Sequence, residues 1–309
     1  MALDGIVIAN MVKELNETIS GGKINKIAQP ENDELLLTIK NNKTQYRLLI
    51  SAGASLPLIY FTEKNKTSPM TAPNFCMLLR KHIGSGRFTR IWQPGLERII
   101  HFEIEHLNEL GDLCKKDLVV EIMGKHSNII FCDDKGMIID SIKHVSAQMS
   151  SVREVLPGRN YFIPATQEKA DPLTISEHIF AEHVFSKPMP IAKAIYTSLT
   201  GISPLIAEEL CHRSSIESSQ SANTLSPLEQ THLFHIFSLL MEDVREGNFS
   251  PSIIFNGKEP VDFSSVPLTQ YADFTAKEFS TISEVLESYY AVKNTITRIR
   301  QRSSDLRRI

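Results

Sequence analysis

The sequence predicts an α+β protein: a β-sandwich domain with flanking helices, followed by a mostly helical region and a charged closing helix. Three observations lead there. Ile8, Met11, Val12 and Leu15 recur at helical spacing near the start. Short runs rich in branched and aromatic residues then alternate with turn residues as far as residue 143. Near Pro157-Gly158-Arg159-Asn160 the composition changes, and helical patterning dominates the remainder of the chain. Taken in order, residues 1–20 form a helix that Gly21-Gly22 ends. Strands are expected over 23–28, 34–40, 45–51 and 56–61, with Asn41-Asn42-Lys43 as a hairpin connector. Pro73-Asn74 opens a helix carrying Phe75, Met77, Leu78 and Leu79, stopped by Gly84-Ser85-Gly86. Strands resume over 87–92, 97–105, 113–123, 128–132 and 137–143. This pattern reads as two stacked sheets with helices beside them. Residues 174–246 are mostly helical, residues 253–263 form a small hairpin around Asn256-Gly257, and a helix returns after Phe279. That last helix is basic, with Arg298, Arg300, Arg302, Arg307 and Arg308 against Asp305.

Composition removes several classes of function. At 309 residues and 42% hydrophobic content the chain is long enough for two packed cores. No apolar run approaches the roughly 18 residues of a membrane span, and the start lacks the pattern of a secretory signal, so a cytoplasmic location is expected. The four cysteines, Cys76, Cys114, Cys132 and Cys211, are widely spaced and read as reduced thiols. The histidine pairs His178/His183 and His232/His235 lack a Cys or acid at a spacing that closes a site, and His101 and His106, five apart on an expected strand, fall on opposite faces, so no metal or other cofactor is expected. No phosphate-loop, nucleophile-elbow or dinucleotide motif is present. The net charge of −3 means that any nucleic-acid binding requires cations segregated onto one face.

One stretch breaks the strand pattern. In Glu121-Ile122-Met123-Gly124-Lys125-His126-Ser127-Asn128, a glycine, a cation, an imidazole, a hydroxyl and a carboxamide sit between two apolar runs. A hairpin turn needs only Gly, Asn or Asp. The surplus of donors beside a positive charge suits an anion or nucleic-acid contact; a well-capped polar turn is the alternative. A second candidate is the basic stretch Arg80, Lys81, Arg87, Arg90 and Arg98, which holds one acid, Glu97. Such cations suit phosphate contacts or, alternatively, a solvated surface. A third is Gly201-Ile202-Ser203-Pro204, with Ala207 and Leu210. It resembles a helix-hairpin-helix, which aims helix N-terminal amides at phosphate or persists as a purely structural element.

Met123-Gly124-Lys125-His126-Ser127-Asn128 resembles the signature of the NFACT family. Leu3-Asp4-Gly5, Gly95-Leu96-Glu97-Arg98, Gly201-Ile202-Ser203-Pro204 and the charged helix after Phe279-Ser280 follow in the family's order along the whole chain. The resemblance implies an N-terminal domain over 1–170 similar in fold to the N-domain of formamidopyrimidine-DNA glycosylases. It further implies a helical domain with a helix-hairpin-helix over 171–275, and the start of a coiled-coil arm over 276–309. It also implies ribosome quality control: binding to a large ribosomal subunit carrying peptidyl-tRNA, and recruitment of tRNA, alanyl-tRNA in bacteria, for untemplated tailing of the stalled chain. The tRNA contacts it suggests are Glu97, Arg98, Glu121, Ile122, Met123, Lys125, His126 and Asn128, supported by Arg80, Lys81, Arg87 and Arg90. The family's usual acid before the arginine is Asp; here Glu97 places its carboxylate about one methylene further out. Peptide transfer would be ribosomal chemistry, so no catalytic residue is expected. Two rival functions come from the same resemblance: a fibronectin-binding surface adhesin, and an abasic-site lyase using the amine of Ala2.

Overall fold

The computed structural model describes residues 3–164 and 168–306. The chain divides into two compact units: Met11–Asp171, and a second formed by the residues up to Asn10 together with those from Pro172 onward. The first helix, α1 (Gly5–Ile19), runs through the division, so the first residues do not group with the expected 1–170 domain.

In the Met11–Asp171 unit, Met11, Leu15 and Ile19 continue the buried stripe of α1. Gly21, at φ 79°, turns the chain into β1 (Lys23–Glu31), and its amide donates to Phe88 O. Next come β2 (Glu34–Asn41), β3 (Thr44–Ser51), β4 (Leu58–Phe61), α2 (Asn74–Ile83), β5 (Arg87–Trp92), β6 (Ile99–Leu107), β7 (Leu113–Glu121), β8 (Asn128–Asp133) and β9 (Ile138–Ser141). Asn42 and Lys43 both have positive φ, the geometry of a tight turn between twisted strands.

The two separate sheets expected from the sequence are a single sheet, in the order β4-β3-β2-β1-β5-β6-β7-β8-β9. The seam is narrow: β1 and β5 share one register pair, Lys23 opposite Arg87. The Lys143 ammonium, just past β9, donates to the carbonyl of Ala52, just past β3. The far ends of the strand order therefore come together, and one curled sheet supplies the layers. Leu35-Leu36-Leu37 of β2 and Ile129-Ile130-Phe131 of β8 are buried without alternation, as strands covered on both faces require. Helix α2 sets Phe75, Cys76, Leu79 and Ile83 into the core, and Arg80 Nε donates to Ile27 O of β1 at 2.8 Å.

The second unit contains α3 (Glu177–Phe180), a π-helical turn (Ala181–Phe185), α4 (Ile191–Ser198), α5 (Pro204–Arg213) and α6 (Pro227–Glu246). Phe180 packs against Phe185, Phe234 and Phe237. A capping box of Ser226 and Glu229 starts α6, and Gly247 in the left-handed region ends it. The predicted hairpin is β10 (Ser252–Asn256) with β11 (Glu259–Ser264), and β12 (Thr275–Glu278) adds a third strand to β10. The expected boundary at 275/276 thus falls inside a paired strand. Helix α7 (Ile282–Leu306) buries Ile282, Val285 and Leu286 in its first turns, so its start belongs to this unit. Arg307 and Arg308 of the expected basic helix, and the side chain of Arg298, lie outside the described residues.

Candidate nucleic-acid interface

Register brings Arg98 and the Gly-Lys-His turn to one end of the sheet. Ile99 opens β6 opposite Glu121, the last residue of β7, and Glu121 lies opposite Asn128, the first of β8. The Ile122 amide donates to the Arg98 carbonyl at 2.9 Å, which ties the two segments directly. Between the strands, Gly124–His126 form one 3-10 turn, and Gly124 adopts φ 58°, which glycine takes without strain. Ser127 fixes the turn from inside: its hydroxyl donates to Gly124 O at 2.7 Å and accepts from the Met123 amide at 2.8 Å. Lys125 and His126 are exposed, and no ion pair holds either side chain among the described residues.

Three of the expected contacts are scaffold instead. Glu121 is fully buried; its carboxylate accepts from the Arg153 guanidinium and from the Tyr161 hydroxyl at 2.8 Å. Burial, with the charge on Glu121 next, pushes the Tyr161 phenol well above its ordinary pKa. Ile122 is core. Asn128 is buried and spent on the backbone: Nδ2 donates to Lys143 O at 3.0 Å, and Oδ1 accepts from the amides of Ile129 and Lys143. None of the three side chains can face a ligand. Met123, half-buried, packs on the cluster of Ile99, Val119 and Ile130.

Glu97 and Arg98 are both half-exposed. They leave a turn in which the Glu97 amide donates to Pro94 O at 3.0 Å and Gln93 Nε2 to Glu97 O at 2.8 Å. Gly95 is required there: its φ is 54°, and a Cβ would lie 3.0 Å from the Asp171 carboxylate. Burial raises the Glu97 pKa; Arg98 and Lys169 oppose the rise, while Asp171 and Glu121 add to it. Glu97 is therefore a carboxyl that protonates more readily than usual, beside a guanidinium.

The basic stretch does not gather at this end. Arg90 lies over the Trp92 ring at 4.7 Å, and Trp92 stacks on His101 at 4.2 Å. His101 Nδ1 in turn lies 2.8 Å from Asp117 Oδ2. Arg87, opposite Glu105, donates to Gly21 O at 2.5 Å. Arg80 and Lys81 sit at the end of α2 beside the far end of β6. The eight residue steps from Ile99 to Leu107 cover roughly 25 Å at about 3.3 Å each. The expected single face is thus spread along β6: Arg98 at its start, Arg90 opposite Glu103 at its middle, and Arg87, Arg80 and Lys81 toward its far end. Sequence reasoning missed Arg153 and Tyr161, which lie far along the chain from the residues they hold, with no local signal to link them.

The Gly201-Ile202-Ser203 connection joins α4 to α5, and its helix N-terminus is satisfied internally. Ser203 accepts from the Ile206 amide at 3.3 Å and donates to Asp4 Oδ2 at 2.7 Å, while Gly5 N donates to Gly201 O at 2.9 Å. The Ser203 hydroxyl, which would face a phosphate in the motif, is thus engaged with the α5 amide of Ile206 and with Asp4.

A curled antiparallel sheet carrying the Gly-Lys-His turn beside an acid-arginine pair defines a class, and comparison with known proteins agrees. The family described as NFACT N-terminal and middle domains matches residues 4–309. The chain belongs to this family. It is 38% identical over its whole length to the Rqc2 homolog RqcH of Bacillus subtilis, of which it covers 52%. It is 24% identical over 213 residues, 69% of the chain and 19% of the relative, to the ribosome quality control complex subunit NEMF of Mus musculus. Among solved structures, the N-terminal part of the fibronectin/fibrinogen-binding protein of Streptococcus suis superposes with a TM-score of 0.75 at 29% identity, covering 93% of this chain and 98% of that one. The chain spans about half the length of the bacterial relatives it matches.

Proposed function

We propose that this chain is the tRNA- and large-ribosomal-subunit-binding module of a ribosome quality control factor. The whole protein would act in the cytoplasm on a large subunit obstructed by peptidyl-tRNA, bringing in alanyl-tRNA for untemplated C-terminal alanine tailing. Peptide transfer would remain ribosomal, so the chain would be a binding protein without catalytic residues or cofactor. One observation carries the RNA-binding part: the Ile122–Arg98 backbone bond ties the half-exposed residue Arg98 to the strand end that leads into the exposed Lys125-His126 turn. Arg98 can fork onto phosphate or a base edge, Lys125 adds a point charge, and the Glu97 carboxyl can accept from a base amino group. Helix α7 would begin the coiled-coil arm along the ribosome. Sequencing the RNA that copurifies with the protein tests this: tRNA and large-subunit rRNA are expected, and their absence defeats the proposal.

A second reading, attachment to fibronectin, has one observation in its favour, the description of the Streptococcus suis relative. Salt separates the two, since RNA binding weakens steeply with ionic strength and an apolar or strand-pairing contact does not. No helix among the described residues is long and apolar enough to cross a membrane. The abasic-site lyase idea rests on Ala2, which lies outside the described residues; borohydride trapping on abasic DNA tests it.

A further inference from the structure

At the end of β6 away from Arg98, the Met11–Asp171 unit has an open cleft of about 780 Å³. Its charged and titratable lining is Lys23 and Lys26 from β1, Arg80, Lys81 and His82 from α2, and His106 from β6; no Asp or Glu lines it. Lys23, Lys26 and Arg80 make no ion pair among the described residues, and the one pair in the lining, Lys81 with Glu109, is exposed and 3.3 Å long. Arg80 is aimed by its Nε bond to Ile27 O. In a chain of net charge −3, Lys23, Lys26 and Arg80 converge here with Lys81, whose exposed partner Glu109 lies outside the lining; the cations repel one another, and a bound polyanion relieves that repulsion.

The histidines add polarity without charge. Burial, and next the Lys116 ammonium, push the His82 imidazole below its ordinary pKa; burial is also the main cause for His106. His106 Nδ1 lies 3.1 Å from Leu107 O, to which it donates as the neutral tautomer, leaving Nε2 to accept from Lys116 at 3.1 Å. No Phe, Tyr or Trp lines the cleft, so it has no broad platform for stacking a base. Cations and neutral hydrogen-bonding groups without such a platform suit a phosphate backbone of any sequence.

We propose that this cleft is a second RNA site, which binds phosphodiester groups of the backbone independently of sequence. It rests on the RNA-binding reading above, and its role differs from that of the Arg98 end: it supplies salt-dependent affinity without selecting a particular RNA.

The test uses the full 309-residue chain with two probes, bulk tRNA and an RNA duplex of unrelated sequence. Lys23 and Lys26 are exposed, so K23E/K26E is compared with R98A, and K23Q/K26Q replaces it should the reversal unfold the chain. The cleft variant should bind both RNAs roughly tenfold or more weakly, with a salt dependence shallower by about one to two log units per log unit of salt. R98A should weaken tRNA more than the duplex. A folded cleft variant with unchanged affinity and salt slope, while R98A still weakens tRNA, overturns the proposal and leaves the Arg98 site standing. Failure of the unaltered chain to bind either RNA defeats both. If inorganic phosphate or ATP binds the cleft at micromolar concentration and displaces the duplex, the ligand is a small phosphate compound and the RNA assignment is wrong.

Discussion

The amide of Ile122 donates to the carbonyl of Arg98 across 2.9 Å, immediately beyond the last register pair of β6 and β7. Because Ile122 is buried, this bond anchors the arginine's backbone to the core while its side chain remains half-exposed. Replacing Arg98 by Ala should leave that bond intact. The expected outcome is tRNA binding weaker by about 1–3 kcal/mol, the worth of one good bidentate contact, with an unchanged melting curve. Titration calorimetry or filter binding beside thermal unfolding checks both halves.

Lys125→Glu acts on an exposed turn whose shape is set by Ser127 and Gly124. Stability should stay within roughly 0.5 kcal/mol of the unaltered chain, as for most surface changes. tRNA affinity should fall, and more at low salt than at high. Equal losses at both salt concentrations would show that Lys125 is not a phosphate contact.

Glu121 behaves oppositely. Glu121→Ala removes a fully buried carboxylate and strands the Arg153 guanidinium, itself one-tenth exposed. Breaking a buried pair from one side costs about 3–5 kcal/mol. Glu121→Gln, which can still accept from Tyr161, should cost less. Urea denaturation gives the order: unaltered chain, Gln, then Ala. Equal stability of all three would return Glu121 to the ligand-facing set.

Asp4 provides a pH signature in the second unit. Burial raises its pKa to about 6 from an ordinary 3.8, partly opposed by the Ser203 hydroxyl and then by the Val7 and Ile6 amides. A carboxyl with a raised folded pKa contributes stability that is fully present below the unfolded pKa and lost as pH rises through the folded one. The loss should run between about pH 4 and 6 and reach about 3 kcal/mol. Asp4→Asn keeps an acceptor for the two amides and should remove this slope. Denaturation midpoints of both proteins from pH 4 to 7 should diverge as pH rises; parallel curves would refute it.

These contrasts mark how far the sequence was legible. Strand positions came through well because each is a local signal: the Arg87–Trp92 strand matches the expected range, and the turn at Asn42-Lys43 is punctuation in the chain itself. The continuity of the sheet did not, since its seam is one pairing between residues 23 and 87. In the site, Glu121 enters only through the family resemblance, and its burial assigns it to the scaffold instead. The run Leu118-Val119-Val120-Glu121-Ile122 is buried throughout, and a carboxylate inside it needs an internal partner. Those partners, Arg153 and Tyr161, lie more than thirty residues on. Asn128 is scaffold likewise: its carboxamide holds the Lys143 backbone.

The most direct test of the central claim is tRNA affinity of the 309-residue chain across a salt series, measured for the unaltered protein and for R98A/K125A. Binding should fall steeply and linearly on a log-log salt plot, and the double variant should be folded, weaker and shallower in slope. Absent or salt-insensitive binding, or a double variant matching the unaltered chain at every salt concentration, would contradict the claim.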